Sequence, residues 1–235
     1  MEKHIVSFSG GKDSTAMLLL MLEKGMQVDE IIFCDTTVEF PEMYEHIKKV
    51  EKYIGRPITI LKAEHSYEYM LLDHQKTRGQ YKGEKGYDWT GPRYRWCTRY
   101  LKQDVVKKYK KEKYKNQEII EYLGIAFDEL NRVKDIKNTK YPLVEWEITE
   151  RMALDYCYSK GFTWGGLYRK VDRVSCWCCP LQNLKSLRNL YDNFPHLWKI
   201  LKDWDSRTRR KFRADYSVEE LEKKFKKEYK QKKLF

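Results

Sequence analysis

The sequence predicts an α/β protein, a doubly wound parallel sheet with a helical extension at the C-terminal side. Three observations predict it. The β-prone run "IVSF" (Ile5–Phe8) passes through the turn "SGGKDS" (Ser9–Ser14) into an apolar helix. Strand-like and helix-like segments then alternate through the first third of the chain, the pattern of parallel strands joined by helical crossovers. Beyond Pro180 every segment reads helical and basic. The expected organisation is an α/β domain over residues 1–180 and a basic helical extension over residues 181–235.

The elements follow in order. Residues 1–8 read as a short buried strand. Residues 13–24 read as a helix stopped by Gly25, and its nearly unbroken apolar run suits packing against a sheet. "DEIIFCD" (Asp29–Asp35) is a second buried strand. "PEMYEHIKKVEKYIG" (Pro41–Gly55) is a helix, with proline in its first turn and glycine at its end. "PITILKA" (Pro57–Ala63) is a third strand. "KTRGQYKGEKGYDWTGPRYRW" (Lys76–Trp96) is rich in glycine and aromatics and reads as a long surface loop, a common seat of substrate contacts. A helix follows at about residues 98–115. "EIIEYLGIAFDE" (Glu118–Glu129) reads as a strand ending in a loop that carries Asp128, Glu129 and Arg132. Thr149 is an N-cap candidate for a helix reaching about Lys160. The helices after Pro180 break near Pro195 and Asp215.

Composition bounds the function. Apolar residues make up 41% of the 235, too many for a disordered chain. The longest uninterrupted apolar run, Ala16–Leu22, is far too short to cross a membrane, and "MEKHIVSF" lacks the shape of a secretion signal. A soluble, cytoplasmic protein without a membrane partner is expected. The net charge of +12 points to an acidic partner: a nucleotide, a nucleic acid or both. The surplus is uneven. Residues 199–235 carry 14 Lys and Arg against 7 Asp and Glu, and "KKYKKEKYK" (Lys107–Lys115) carries six lysines and one glutamate. Solvated helix faces are the alternative reading of both runs.

The turn at Ser9–Ser14 has the chemistry of an anion cradle. Gly10 and Gly11 let backbone N–H groups point inward, and the following helix adds its positive end. Lys12 adds a full charge, and Ser9 and Ser14 add hydroxyls. Phosphate or pyrophosphate fits such a turn. The spacing is neither that of a Walker A loop nor G-x-G-x-x-G.

"SGGKDS" after a short strand resembles the PP-loop signature of the ATP-pyrophosphatase-type adenine nucleotide alpha hydrolases. From about residue 5 to residue 180 the chain resembles their phosphoadenosine-phosphosulfate (PAPS) reductase-like branch. "FCDTTVEFPEMY" is similar to that branch's F-x-D-T-G-x-E-x-P-E-T, with Thr37 where glycine is usual. "YRWCTRYLK" (Tyr94–Lys102) resembles its cysteine-plus-lysine helix start. "YLGIAFDELNR" resembles its G-I-R-x-D-E-S-x-x-R, with Ala126 in place of arginine, "YPLVEWEITE" its helix entry, and "RVSCWCCP" stands where the branch has G-C-x-x-C. The resemblance implies nucleotide at the carboxyl ends of the strands. By matched position, Ser7, Ser9, Gly10, Gly11, Lys12, Asp13 and Ser14 would hold phosphates. Asp35 and Thr36 would lie beside the adenosine, and Lys102, Asp128 and Arg132 would line the same cleft. Lys12, Asp13, Lys102 and Arg132 are the implied catalytic set. Asp35 as a helix cap and Arg132 paired with Glu129 are the structural alternatives.

Six cysteines occur in a chain with no secretion signal, so metal or redox chemistry is expected rather than disulfides. Cys97 opens a helix, and Cys176, Cys178 and Cys179 form C-x-C-C-P about eighty residues later. Together they could close a four-thiolate site. Thiolates suit zinc and iron–sulfur alike; the resemblance favours a [4Fe–4S] cluster, with Zn²⁺ or metal-free buried thiols as alternatives. A three-cysteine cluster with one open iron would leave Cys178 free. Cys34 and Cys157 sit on an apolar strand and helix and read as core.

The resemblance leaves three activities open. Sulfonucleotide reductases attack adenylyl sulfate or PAPS with a C-terminal cysteine, and no cysteine follows Cys179. ATP-dependent adenylation of an acceptor needs no such thiol. It releases pyrophosphate, uses Mg²⁺ held by Asp13 or Asp35, and lets a sulfur nucleophile displace AMP. The basic extension and "YDWTGPRYRW" (Tyr87–Trp96) fit a nucleic-acid acceptor, tRNA or DNA, with a sulfur donor protein as a further partner; ordinary packing of Trp89 and Trp96 is the alternative for that loop. A homodimer accords with the branch. The third activity is binding alone: a nucleotide-binding subunit with a structural metal.

Overall fold

The structure, a computed structural model, describes residues 2–232. The chain runs β1 (Glu2–Ser7), α1 (Lys12–Glu23), β2 (Glu30–Asp35), α2 (Pro41–Ile54), β3 (Thr59–Lys62) and α3 (Tyr67–Leu72). After the irregular stretch 73–95 comes α4 (Trp96–Thr98), then a π-helical turn (Arg99–Gln103) and α5 (Asp104–Lys113). β4 (Glu118–Leu123), a 3₁₀ turn (Phe127–Arg132), β5 (Thr139–Lys140), α6 (Pro142–Glu145) and α7 (Glu150–Ser159) follow. The remainder is a 3₁₀ turn (Trp164–Gly166), α8 (Leu167–Lys170), α9 (Leu184–Asn193), α10 (Pro195–Arg207) and α11 (Val218–Lys232).

Two compact units share these elements. The first comprises residues 1–35, 39–62 and 102–167, and the second residues 36–38, 63–101 and 168–235. The division expected at residue 180 falls inside the second unit.

The first unit is the predicted α/β fold. Its strands are all parallel, in the order β3-β2-β1-β4-β5. The chain walks outward from β1 to β3, then restarts on the other side of β1 with β4. That reversal opens a crevice at the carboxyl ends of β1 and β4, where doubly wound sheets bind ligands. Ile5, Val6, Ile31, Ile32 and Phe33 are buried in the sheet, and Ala16–Leu19 and Met21 of α1 are buried with them. This double burial explains the unbroken apolar runs of β1 and β2. α7 packs on α1, and Thr149 caps it as expected, its hydroxyl accepting from Met152 N–H at 3.3 Å. Such a cap is worth about 1 kcal/mol.

Two expectations need correction. The fourth strand ends at Leu123, and the chain leaves it as a loop and a 3₁₀ turn. Gly124 is why it can pass there: a Cβ on it would sit 2.8 Å from Ser14 N. The lysine run of α5 is also not all solvated face. Lys110 pairs with Glu121 at 2.8 Å, and Lys113 donates to Glu30 at 2.7 Å. Glu30 is buried and also accepts from Thr59 at 2.7 Å, Tyr109 at 2.5 Å and Tyr114.

The second unit has an aromatic core. Trp89 meets Phe212 edge-on at 4.9 Å, Trp177 lies 5.2 Å from Trp204, and Tyr67 lies 4.9 Å from Trp96. Three of its buried indole N–H groups find acceptors: Trp89 donates to Asp205, Trp204 to Glu68 and Trp96 to the Asp88 carbonyl. Trp89 and Trp96 are therefore packing residues and offer no ring to a ligand.

Candidate nucleotide and thiol sites

The turn after β1 carries the first candidate site. Gly10 has φ +76°, and a Cβ there would lie 2.4 Å from Met43 Sδ, so glycine is required twice over. The turn is braced from within. Ser9 Oγ and Ser14 Oγ are 3.0 Å apart, Ser9 N–H donates to Ser14 Oγ at 3.2 Å, and Ser14 Oγ donates to the Gly11 carbonyl at 3.1 Å. It is also braced from below. Trp164 Nε1 donates to the Gly10 carbonyl at 2.8 Å, and its ring stacks at 4.2 Å on His46, which lies 3.0 Å from Thr15 Oγ1. With that carbonyl tied down, the peptide N–H groups keep one orientation. Sequence reading missed Trp164 and His46, since nothing local marks a residue that supports a turn from across the fold.

Charge gathers beside the turn. Lys12 is buried, with Nζ 3.0 Å from Asp13 Oδ2 and 2.5 Å from Glu150 Oε1. Carboxylate oxygens of Asp13, Glu129 and Glu150 lie within 4.8 Å of one another. Burial pushes the Asp13 carboxyl up, against the pull of Lys12. Three acids this close repel unless a proton or cation is shared among them. Glu150 was not singled out in the sequence; it occupies the first turn of α7, where an acid ordinarily serves the helix dipole.

The other expected residues divide. Asp128 Oδ1 accepts from Glu150 N–H at 2.9 Å, so it caps α7 and holds Glu150 at the cluster. Arg132 pairs with Glu129, the alternative foreseen for it. Ser7 lies on β1 outside the turn and donates to Glu121 at 2.5 Å. Asp35, at the end of β2, accepts from Tyr44 at 2.8 Å and stands apart from the three-acid group. Lys102 lies on the π-helical turn, and its charge acts on Cys34. Thr36 belongs to the second unit, where its Oγ1 is 3.5 Å from Cys176 Sγ.

The second site is the thiol group, wholly within the second unit. Cys97, Cys176, Cys178 and Cys179 all act electrostatically on the one buried hydroxyl of Tyr67, whose ionisation burial and these sulfurs push well up. Tyr67 donates to the sulfur of Cys178. Cys178 is fully buried, and burial together with Cys176 and Cys179 raises its thiol far above normal. Among the described residues no three of these sulfurs lie within 4.8 Å of one another. Four thiols are a donor set that suits zinc and iron–sulfur alike.

Thr37 sits between the matched segments with φ +67°. That left-handed conformation is one glycine adopts freely, and Thr37 holds it at the strain a β-branched residue carries there. Its Oγ1 accepts from Tyr67 N–H at 3.0 Å.

The chain is similar to several known proteins. The phosphoadenosine phosphosulfate reductase domain family matches residues 3–182. An uncharacterized protein of Methanocaldococcus jannaschii is 28% identical over 215 residues, which cover 83% of this chain and 40% of the relative. A second one from that organism is 28% identical over 202 residues, covering 82% and 45%. This chain thus spans less than half the length of either. A crystal structure of phosphoadenylyl-sulfate reductase from Candida auris, in complex with phosphate, aligns over 74% of this chain and 81% of its own at 17% identity, with a TM-score of 0.48.

Proposed function

As the chain belongs to the phosphoadenosine phosphosulfate reductase domain family, we propose that it binds an adenine nucleotide at Ser9–Ser14 and uses ATP to adenylate an acceptor oxygen, with sulfur transfer to follow. One observation carries the choice of ATP: the three carboxylates of Asp13, Glu129 and Glu150 beside Lys12. A sulfonucleotide needs no divalent ion, whereas ATP arrives with Mg²⁺, a hard cation that takes oxygen ligands of this kind. Asp13, and not Asp35, then has the company a Mg²⁺ ligand needs.

The chemistry asked of the protein is positioning and charge neutralisation. The amides of the turn and Lys12 hold the β- and γ-phosphates as the acceptor oxygen attacks the α-phosphorus. The α–β P–O bond breaks, and pyrophosphate leaves with its negative charge matched by Lys12. Asp13, Glu129 and Glu150 would hold Mg²⁺, which when bound would supply charge neutralisation at the phosphates, and Lys12 would turn from Glu150 to the phosphates. A sulfur nucleophile then displaces AMP from the acceptor. Cys97, Cys176, Cys178 and Cys179 would hold an iron–sulfur centre, which when bound supplies a site for carrying sulfur.

Thiol chemistry in the nucleotide unit supports adenylation over sulfonucleotide reduction. Reduction needs a thiolate to attack sulfur. The two cysteines of that unit are held as thiols: burial raises Cys34, and burial followed by Asp13 pushes Cys157 up to about 12. Cys157 is spent on structure, with its sulfur 3.5 Å from the Lys12 carbonyl. The test is pyrophosphate release from Mg-ATP in the presence of tRNA or DNA, run beside sulfite release from adenylyl sulfate and PAPS. Pyrophosphate that disappears in Lys12→Ala supports the proposal. Sulfite without pyrophosphate overturns it.

A further inference from the structure

A cleft of about 880 Å³ opens in the second unit, lined by the irregular stretch before α4, the start of the π-helical turn and Arg209–Arg210. Neither candidate site above uses it. Its lining is basic: Lys76, Arg78, Arg99, Arg209 and Arg210 face only Glu84 and Asp88. Arg209 is committed to the wall. Its Nε and Nη2 donate to Asp88 Oδ2 at 3.1 and 2.7 Å, its backbone N–H donates to Asp88 Oδ1 at 2.9 Å, and Nη1 pairs with Glu84. Lys76 Nζ stands 3.6 Å from Glu84 Oε2. Both acids are thereby neutralised. Among the described residues Arg78 and Arg210 have no ion-pair partner, and with Arg99 they leave the cleft a surplus of positive charge.

The same cleft is lined with rings. Tyr87 stacks on His74 at 5.1 Å and 16°, and on Tyr100 at 5.3 Å and 29°. These three rings form an inner stack. Tyr94 and Tyr81 are 44% and 45% exposed, so each has ring area for a partner. Exposed tyrosine beside unpaired arginine is poor packing and good recognition: the ring takes a flat base, and the guanidinium groups take phosphate. An unpaired base is required, because a base within a duplex has no free face.

We propose that this cleft holds a nucleotide of single-stranded nucleic acid, with its base stacked on Tyr94 and its flanking phosphates held by Arg78, Arg99 and Arg210. The inference rests on the adenylation reading, for which it names the acceptor, but it stands or falls on a separate measurement.

That measurement is fluorescence anisotropy of the full chain with labelled single-stranded DNA and RNA of about 12 nucleotides, with the matching duplexes, and with AMP and inorganic phosphate as competitors. Single strands bind. Tyr94→Ala weakens them roughly 5- to 150-fold, and Tyr94→Phe restores them. Arg78→Ala with Arg210→Ala lowers the slope of log K against log salt by about 1.4, at about 0.7 for each phosphate no longer neutralised. ATP binding is unchanged in all three variants. Three results would each overturn the proposal: variants that bind as the native chain does, duplex binding as tight as single-strand binding, or AMP that displaces the strand at equal concentration. Single-strand binding without ATP binding leaves the cleft standing and removes the adenylation reading. ATP binding without strand binding does the reverse.

Discussion

Glu150 Oε1 lies 2.5 Å from the ammonium of Lys12, so the cation of the phosphate turn already has a partner before any nucleotide arrives. The pair holds the Lys12 side chain at the turn, and it makes phosphate binding an exchange of one anion for another. Lys12→Ala should lower pyrophosphate release about 100-fold. Glu150→Gln should raise the Mg²⁺ concentration for half-maximal rate about tenfold, while leaving Lys12 in place. A Mg²⁺ titration reads both, and an unchanged Mg²⁺ requirement in Glu150→Gln would remove the carboxylates from the metal's shell.

The thiols make a prediction that separates them by unit. Protein purified without oxygen should carry about four irons with matching sulfide. Serine at Cys97, Cys176 or Cys179 should each lower that content, and serine at Cys178 should lower it most, because Cys178 is the fully buried member. Serine at Cys34 or Cys157 should leave it unchanged. One zinc and no sulfide in the native protein would reverse the assignment.

His46 predicts an acid sensitivity. Burial first, then the nearby Lys49, lowers its pKa from 6.5 to about 3. Its Nδ1 is buried with no hydrogen-bond partner. The unfolded chain takes up a proton below pH 6.5 that the folded chain refuses until about pH 3. Stability from this group is therefore complete above pH 6.5 and falls as pH drops through that window, by at most about 1.4 kcal/mol per pH unit. In chemical denaturation, His46→Gln should flatten the decline between those limits. A parallel decline in the variant would assign the acid sensitivity to other groups.

Thr37 offers a stabilising substitution. Asparagine tolerates the left-handed region far better than a β-branched residue and still presents an acceptor oxygen toward Tyr67 N–H. Thr37→Asn should gain about 1 kcal/mol, or about 2–4 °C in melting temperature. A lower melting temperature would mean that the Thr37 hydroxyl contributes more than its backbone costs.

Much of this was legible in the sequence where the signal is local. The glycine turn, the parallel strands around it and Thr149 as a cap each follow from neighbouring residues and their spacing. What was not legible depends on distant contacts. Glu150 reaches Lys12 only because α7 lies on α1, and Asp128 proves to be a cap because the chain returns to it after twenty-two residues. Trp89 and Trp96 read as candidate stacking rings because a loop says nothing of what covers it; Asp205 supplies the acceptor for Trp89 from across the sequence, and the carbonyl of Asp88 in the same loop supplies that for Trp96. Tyr81 and Tyr94, less apolar and with polar tips, are the rings left exposed.

The way the chain divides its residues sets an order on biosynthesis. The sheet unit has all its residues once Leu167 has been made, and the aromatic unit draws on residues 36–38 and 63–101 but is completed only from residue 168 onward. Translation runs in one direction, and early segments fold as they emerge. Cys97 must therefore wait on the nascent chain until the ribosome has delivered Cys176–Cys179. The four thiols come together only late in the synthesis of this polypeptide, and a truncated transcript ending before that point would yield the sheet and its glycine turn without the second group of thiols.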